Sequence, residues 1–301
     1  MAHERRTELS VKERSERELA NQVLLARMEE IKHKILVLSG KGGVGKSTVA
    51  ANLATALKHA GKSVGLLDVD VHGPSIPKLL GLEGLPAVGD DDVLHPVTSA
   101  EGVKVMSIGF LLPREDTPVV WRGPRKYLLI RQFLQQVDWG QLDFLVIDAP
   151  PGTGDEPLAV AELVRPRVSA VLVTTPQDLA VADVKRSVKF CSEVHLPVVG
   201  IVENMSGLVC PACGYLIDLF KSGGGEKLAK AFGLRFLGRI PIDPEIVECG
   251  DAGRPFAAEL AAGPTVDAFA RAIEPLLAID TRPEEPHASG SVAGPVGATR
   301  G

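Results

Sequence analysis

Three groups of residues in this chain have types and spacings suited to chemistry. The first is Gly40-Lys41-Gly42-Gly43-Val44-Gly45-Lys46-Ser47-Thr48. Its glycines let backbone N–H groups converge on phosphate oxygens, Lys46 supplies a point charge at the β- and γ-phosphates, and the Ser47 hydroxyl is a Mg²⁺ ligand. A nucleoside triphosphate is the expected occupant. The second group is a set of carboxylates at the ends of apolar runs: Asp68 and Asp70 after Val64–Leu67, and Asp148 after Phe144–Ile147. Asp148 fits the task of holding Mg²⁺ or its water opposite a phosphate loop, although aspartate at a strand end is also a common turn former. The third group is Cys210-Pro211-Ala212-Cys213-Gly214, whose two-residue gap lets both thiolates face one soft metal. Tetrahedral zinc and Cys-ligated clusters usually take four ligands, so the pair alone leaves a cluster, structural zinc, a redox dithiol and no metal all open. Cys191 and Cys249 lack paired spacing. Either those distant thiols complete the site or a second subunit does.

These groups need rigid elements behind them, and the apolar periodicity supplies candidates. Ile35–Leu38 reads as a buried strand feeding the phosphate loop, and Val49–Leu57 as the helix that leaves it. That helix adds its positive N-terminal dipole to the anion site. Val64–Asp70, Val103–Gly109, Asp143–Asp148, Ser169–Thr175 and Val198–Met205 read as further strands, with helices over Tyr127–Leu134 and Asp178–Glu193. Residues 81–96 are rich in Gly, Pro and Asp and are expected to be an irregular excursion. Val120–Pro124 places Trp121 and Arg122 in a constrained loop. The result is an α/β fold: a doubly wound, mostly parallel sheet of the P-loop NTPase type.

Composition agrees with that class. Of 301 residues, 45% are hydrophobic but only 4% aromatic, so the core is built from Val, Leu, Ile and Ala, as in parallel sheets buried on both faces. The length suits one large domain. Residues 1–33 read as a charged helical extension with Leu9, Leu19, Val23, Leu24 and Met28 as a partial stripe. Residues 34–280 form the P-loop domain, with the Cys pair inserted near 204–220, and 281–301 form a Pro/Gly/Ala/Ser-rich disordered tail. A formal net charge of −5 without a concentrated basic tract gives no reason to expect nucleic acid. No apolar run reaches the roughly 18 residues needed to span a bilayer, and the N-terminus is charged, so no membrane partner and a cytoplasmic location are expected.

Lys41, directly after the first glycine, is not needed by an ordinary phosphate loop and reads as a solvated charge or something more specific. With Lys46 present, the stretch resembles the deviant Walker A motif of the MinD/ParA and nitrogenase-iron-protein class. That resemblance implies that Lys41 acts in catalysis by reaching across a dimer to the partner's nucleotide. Asp68-Val69-Asp70-Val71-His72-Gly73-Pro74-Ser75 is similar to switch I of the same class, which implies that Asp70 positions the attacking water while Asp68 supports the Mg²⁺ shell. Ala149-Pro150-Pro151-Gly152-Thr153-Gly154-Asp155 resembles switch II of the Mrp/ApbC family of iron–sulfur cluster carrier ATPases, and Glu203–Gly214 resembles that family's Cys signature. The likeness covers about Lys34 to Ile279. It implies ATP rather than GTP, adenine contacts from Asn204 and from the loop carrying Pro241 and Asp243, and iron–sulfur ligation by Cys210 and Cys213. The expected protein is an ATP-hydrolysing homodimer that binds ATP, Mg²⁺ and a [4Fe–4S] cluster at its interface and passes the cluster to apoproteins. A ParA/MinD-like positioning ATPase and a zinc-stabilised regulatory NTPase are the alternatives. The first would need a basic patch or a Lys-rich amphipathic C-terminal helix.

Overall fold

In the computed structural model, residues 18–71, 73–90, 93–111, 123–210, 212–213, 215–259 and 263–280 are described. The start of the N-terminal extension with Leu9, the Trp121–Arg122 loop, Pro211, Gly214 and the 281–301 tail lie outside these residues. Helix α1 (residues 18–29) runs into β1 (Ile31–Ser39), the phosphate loop and α2 (Lys46–His59). Then come β2 (Val64–Asp68), α3 (Ile76–Leu79), β3 (Val88–Asp90), β4 (Val93–His95), β5 (Val97–Thr98), β6 (Lys104–Ser107) and α4 (Gly123–Gln136). The central part continues through β7 (Leu142–Asp148), α5 (Asp155–Leu163), β8 (Val168–Thr174), α6 (Asp178–Glu193) and β9 (Val198–Glu203). The last part holds β10 (Leu208–Val209), β11 (Leu216–Ile217), α7 (Gly224–Ala231), β12 (Phe236–Arg239), α8 (Pro244–Asp251), α9 (Phe256–Glu259) and α10 (Pro264–Asp280).

The main sheet has eight strands in the order β12-β9-β8-β1-β7-β2-β6-β5. Every neighbouring pair is parallel except β5 with β6 at one edge. Leu36, Val37, Leu66, Leu67, Val146, Ile147, Leu172 and Val173 are fully buried, which is why the central strands read as continuous apolar runs rather than as alternation. From β1 the chain builds β2 and β6 on one side, inserts β7 between β1 and β2, and then builds β8, β9 and β12 on the other. Loops therefore diverge at the C-terminal ends of β1 and its neighbours, and an open α/β sheet has its ligand crevice there. Helices flank the sheet, α2 packing with α9 and α10, and α6 with α7.

Two sequence expectations are corrected. Residues 81–96 are not wholly irregular: β3 and β4 pair antiparallel with Val88 opposite His95. Gly89 and Asp90 take part in the ladder, opposite Leu94 and Val93. The first strand also begins at Ile31, ahead of its expected start at Ile35. Lys32, His33 and Lys34 disguise it. Lys34 is fully buried, and its Nζ donates to Met28 O (2.7 Å) and Ile31 O (3.2 Å), satisfying carbonyls where α1 ends. Burial, helped by the nearby Arg167 charge, pushes the Lys34 ammonium down to about 8. Leu24 and Met28 of α1 are buried, whereas Leu19 and Val23 are exposed. Gln135 Nε2 donates to Ala20 O (2.8 Å), so α1 lies against α4 of its own chain.

Candidate functional site

The phosphate loop joins β1 to α2 at the open end of the sheet. Two of its glycines are demanded by geometry. A Cβ on Gly40 would lie 2.4 Å from the Asp183 carbonyl carbon, because α6 crosses directly over the loop. Gly45 has φ +78, and a Cβ there would lie 2.3 Å from Asn204 Nδ2. Helix α2 starts at Gly45 with no side-chain cap and no acidic residue in its first turn. Its first N–H groups and its dipole therefore face the crevice, a ready anion site. Lys41 is exposed, and its carbonyl accepts from Ser39 Oγ (2.9 Å). Ser47 and Thr48 are half-buried.

Parallel registry sets the carboxylates beside this loop. Asp68 at the end of β2 is directly opposite Asp148 at the end of β7, and Val37 of β1 is opposite Asp148 on its other side. Lys46, 6% exposed, is ion-paired with Asp148 through a short Nζ–Oδ1 contact, and its Nζ lies 3.3 Å from Ser47 Oγ and 3.9 Å from Asp70 Oδ2. The fully buried Asp148 has its other oxygen, Oδ2, without a hydrogen-bond partner. An acceptor oxygen with no donor, beside a serine hydroxyl, suits the water shell of Mg²⁺. Burial pushes the Asp148 carboxyl up, against the opposing pull of Lys46.

Asp68 has a different environment from the one expected. Its Oδ1 accepts from Asp70 N–H (3.0 Å), and its Oδ2 accepts from Ser107 Oγ (2.9 Å) and Ile76 N–H (3.4 Å). Both oxygens are thus occupied by protein donors, and Asp68 shapes the turn that presents Asp70. Burial and the adjacent Asp148 charge push its carboxyl up to about 8. Asp70 itself is 9% exposed at the mouth of the crevice. The loop after β7 is tied to the end of β1, just ahead of the phosphate loop, Gly152 N–H donating to Ser39 O (2.8 Å), while Pro151, Thr153 and Gly154 are exposed.

The candidate base-binding residues meet at one place. Ser206 N–H donates to Ile240 O (2.9 Å) and Ile242 N–H to Gly207 O (2.7 Å), so the Asn204 and Pro241–Asp243 segments run side by side. Asn204 is buried, and its Nδ2 donates to Val44 O (2.9 Å), making it a strut beneath the phosphate loop. Asp243 caps α8 by accepting from Glu245 N–H (3.1 Å) and also accepts from Thr265 Oγ1 (2.7 Å). Pro241 is half-buried. Sequence reasoning missed the strut because nothing local couples Asn204 to a residue 160 positions away.

From this base the chain leaves as a small antiparallel hairpin, β10 with β11, carrying the Cys pair at its tip. Cys210 is half-buried and Cys213 exposed. The Ala212 and Cys213 N–H groups directed at Cys210 sulfur hold its thiol below the ordinary range, favouring the thiolate that binds metal. Tyr215, Ile217, Leu219 and Phe220 are exposed around the pair. Among the described residues no group of three or more His, Cys, Asp or Glu side chains is arranged to hold a metal ion. Cys191 is fully buried in α6, and burial pushes its thiol up to about 12. Cys249 lies half-buried in α8.

A family model described as NUBPL iron-transfer P-loop NTPase matches residues 30–277. The chain is 53% identical over 228 residues to the iron-sulfur cluster carrier protein of Methanocaldococcus jannaschii, covering 76% of this chain and 79% of that one. It is 48% identical over 251 residues to the cytosolic Fe-S cluster assembly factor NUBP2 of Bos taurus, covering 82% and 93%. Among solved structures it resembles a nucleotide-binding protein from Archaeoglobus fulgidus in complex with ADP, with a TM-score of 0.70 and 43% identity over 78% of this chain and 91% of that one.

Proposed function

Because this chain belongs to the NUBPL iron-transfer P-loop NTPase family, we propose that it is an ATP-hydrolysing homodimer carrying one [4Fe–4S] cluster between its subunits for delivery to apoproteins. The supporting observation is the two-thiol hairpin, whose first strand starts at Leu208, a short step past the end of β9 at Glu203 and just after Asn204, a side chain that touches the phosphate loop. Two thiolates are half of a cluster's usual protein ligands. A second copy related by a two-fold axis supplies the other two, and the exposed Tyr215, Ile217, Leu219 and Phe220 give that contact apolar surface to bury.

The residues divide the chemistry as follows. Backbone N–H groups of Gly42–Ser47 and the Lys46 ammonium take the phosphates, exchanging the carboxylate partners of Lys46 for phosphate oxygens. Ser47 and the free Asp148 Oδ2 hold Mg²⁺ or its water, which would neutralise charge building on the phosphates. Asp70, fixed by its N–H bond to Asp68, orients the water that attacks. Asn204 and the Pro241–Asp243 loop border the adenine. Lys41, exposed at the loop's edge, completes the site of the other subunit. The relative named as cytosolic supports a cytoplasmic location, and no helix of the described residues is long and apolar enough to cross a membrane.

Anaerobic reconstitution tests this reading. About four iron and four sulfide ions per two chains are expected, with a Mössbauer spectrum of a [4Fe–4S] centre and the mass of a dimer. Cys210→Ser and Cys213→Ser should lose the cluster, whereas Cys191→Ser and Cys249→Ser should keep it. A full cluster on a verified monomer, or zinc retained in place of iron, would refute the proposal.

A further inference from the structure

The nucleotide chemistry leaves one buried carboxylate unused. Glu203 ends β9 and is fully buried. Its Oε1 accepts from Ser206 Oγ (2.6 Å) and Gly223 N–H (2.9 Å), and its Oε2 accepts from Gly225 N–H (2.5 Å). Arg239 Nε lies 3.5 Å from Oε1 and also pairs with Glu226. Ser206 belongs to the stem by which the chain departs toward the Cys pair, and Gly223 and Gly225 to the stem by which it returns into α7. One carboxylate therefore clamps both ends of the excursion with charge-assisted bonds, the strongest hydrogen bonds the fold has to offer.

Asn204 and Met205, which join Glu203 to Ser206, both lie against the phosphate loop. Asn204 N–H donates to Thr174 O (2.8 Å) while its Nδ2 holds Val44 O (2.9 Å). Met205 has φ +55, an uncommon conformation for a large side chain, and its Cε would be 3.6 Å from a Cβ on Gly45. Strain of that kind persists only where the surroundings over-determine it.

We propose that Glu203 is the positioning residue that couples the Cys210–Cys213 hairpin to the phosphate loop. It makes the hairpin stems one rigid piece with Asn204 and Met205, so that movement of Val44 and Gly45 on nucleotide binding is delivered to the two thiols. The inference rests on the reading above, in which the loop takes nucleotide and the pair takes the cluster. A continuous hydrogen-bond path is a route, and coupling is what the measurement must supply.

The test follows the thiols directly and needs no cluster. The reduced, metal-free full chain is alkylated with iodoacetamide, with and without Mg–ATPγS, and labelling rates at Cys210 and Cys213 are read by mass spectrometry. The buried Cys191 serves as the unreactive reference. In the wild-type chain nucleotide should change the rates by about fivefold or more, the low end of ordinary coupling. Glu203→Gln keeps the shape but sets an amide against donors, and Ser206→Ala removes one donor should the first variant fold poorly. Each should bind Mg–ATPγS with an affinity within about threefold of wild type, well under 1 kcal/mol, while losing most of the nucleotide effect on labelling. A purely structural Glu203 would lower the melting temperature of both variants and leave that effect intact, which would overturn the proposal, as would a wild-type chain whose labelling ignores nucleotide. Failure of the wild type to load iron would instead overturn the carrier reading and leave the thiol measurement interpretable.

Discussion

Gly45→Ala probes the meeting of phosphate loop and hairpin root at its tightest point. The added methyl carries two separable costs. Holding a non-glycine residue at φ +78 costs roughly 1–2 kcal/mol. The Cβ would also lie 2.3 Å from Asn204 Nδ2, so the amide must leave Val44 O, and breaking a buried hydrogen bond costs about 1–3 kcal/mol. Together they predict a loss of about 2–5 kcal/mol if the two costs add. At about 2–4 °C per kcal/mol for a domain of this size, the melting temperature should fall by roughly 4–20 °C. Urea unfolding of Gly45→Ala, Asn204→Ala and the double variant separates the costs. With the amide gone the methyl has nothing to displace, so the double variant should be more stable than the sum of the single losses by about 1 kcal/mol or more. Strict additivity would show that backbone conformation alone makes Gly45 necessary, and would refute the contact between loop and hairpin root as an energetic link.

Other expectations follow from the same geometry. Lys46→Ala should weaken Mg–ATP binding measured by calorimetry, whereas Asp70→Ala should spare binding and lower turnover, because water orientation acts in the transition state; equal loss of affinity in both would contradict the division. If Lys41 serves the opposite subunit, mixing Lys41→Ala with Asp70→Ala protein should restore hydrolysis through one intact composite site, and verified heterodimers without activity would place Lys41 in its own subunit's chemistry. Lys34 titrates near 8 when folded and near 10.5 when unfolded, so between those values the unfolded chain binds more protons and stability rises with pH. Subtracting the urea stability of Lys34→Met from that of wild type across pH 7.5–10 should show this rise, and a flat difference would mean the ammonium is better solvated than its burial implies.

The parts of this site that lie along the chain were readable from it. The strand, glycine loop and helix around Lys46 are contiguous, and Asp148 closes an unbroken apolar run, so each announces its place at the crevice. The span of α6 was likewise plain from its amphipathic period. What escaped depends on contacts between distant segments. Asp68 has the same local setting as a metal-site aspartate, and only folding brings Ser107 and Ile76 to its oxygens. Asn204 looks like a strand-end amide until Val44 is laid against it. Lys34 hid the start of β1 because a lysine in a sheet reads as solvated, and the carbonyls that accept it, Met28 O and Ile31 O, lie where α1 gives way to β1. Glu203 offered no signal at all, since its partners lie across the return of a loop whose length masks their proximity.

The closure of the Cys hairpin on a single carboxylate has an evolutionary consequence. A segment that departs and re-enters at one anchored spot is a graft: it can be lengthened, shortened or exchanged without re-threading the sheet or disturbing strand order. The nucleotide engine and the load it carries can then diversify independently, provided the rootstock, Glu203 with the Ser206 hydroxyl and the Gly223 and Gly225 amides, is kept. A transplant of residues 206–225 into a related scaffold should take only where that carboxylate is already in place.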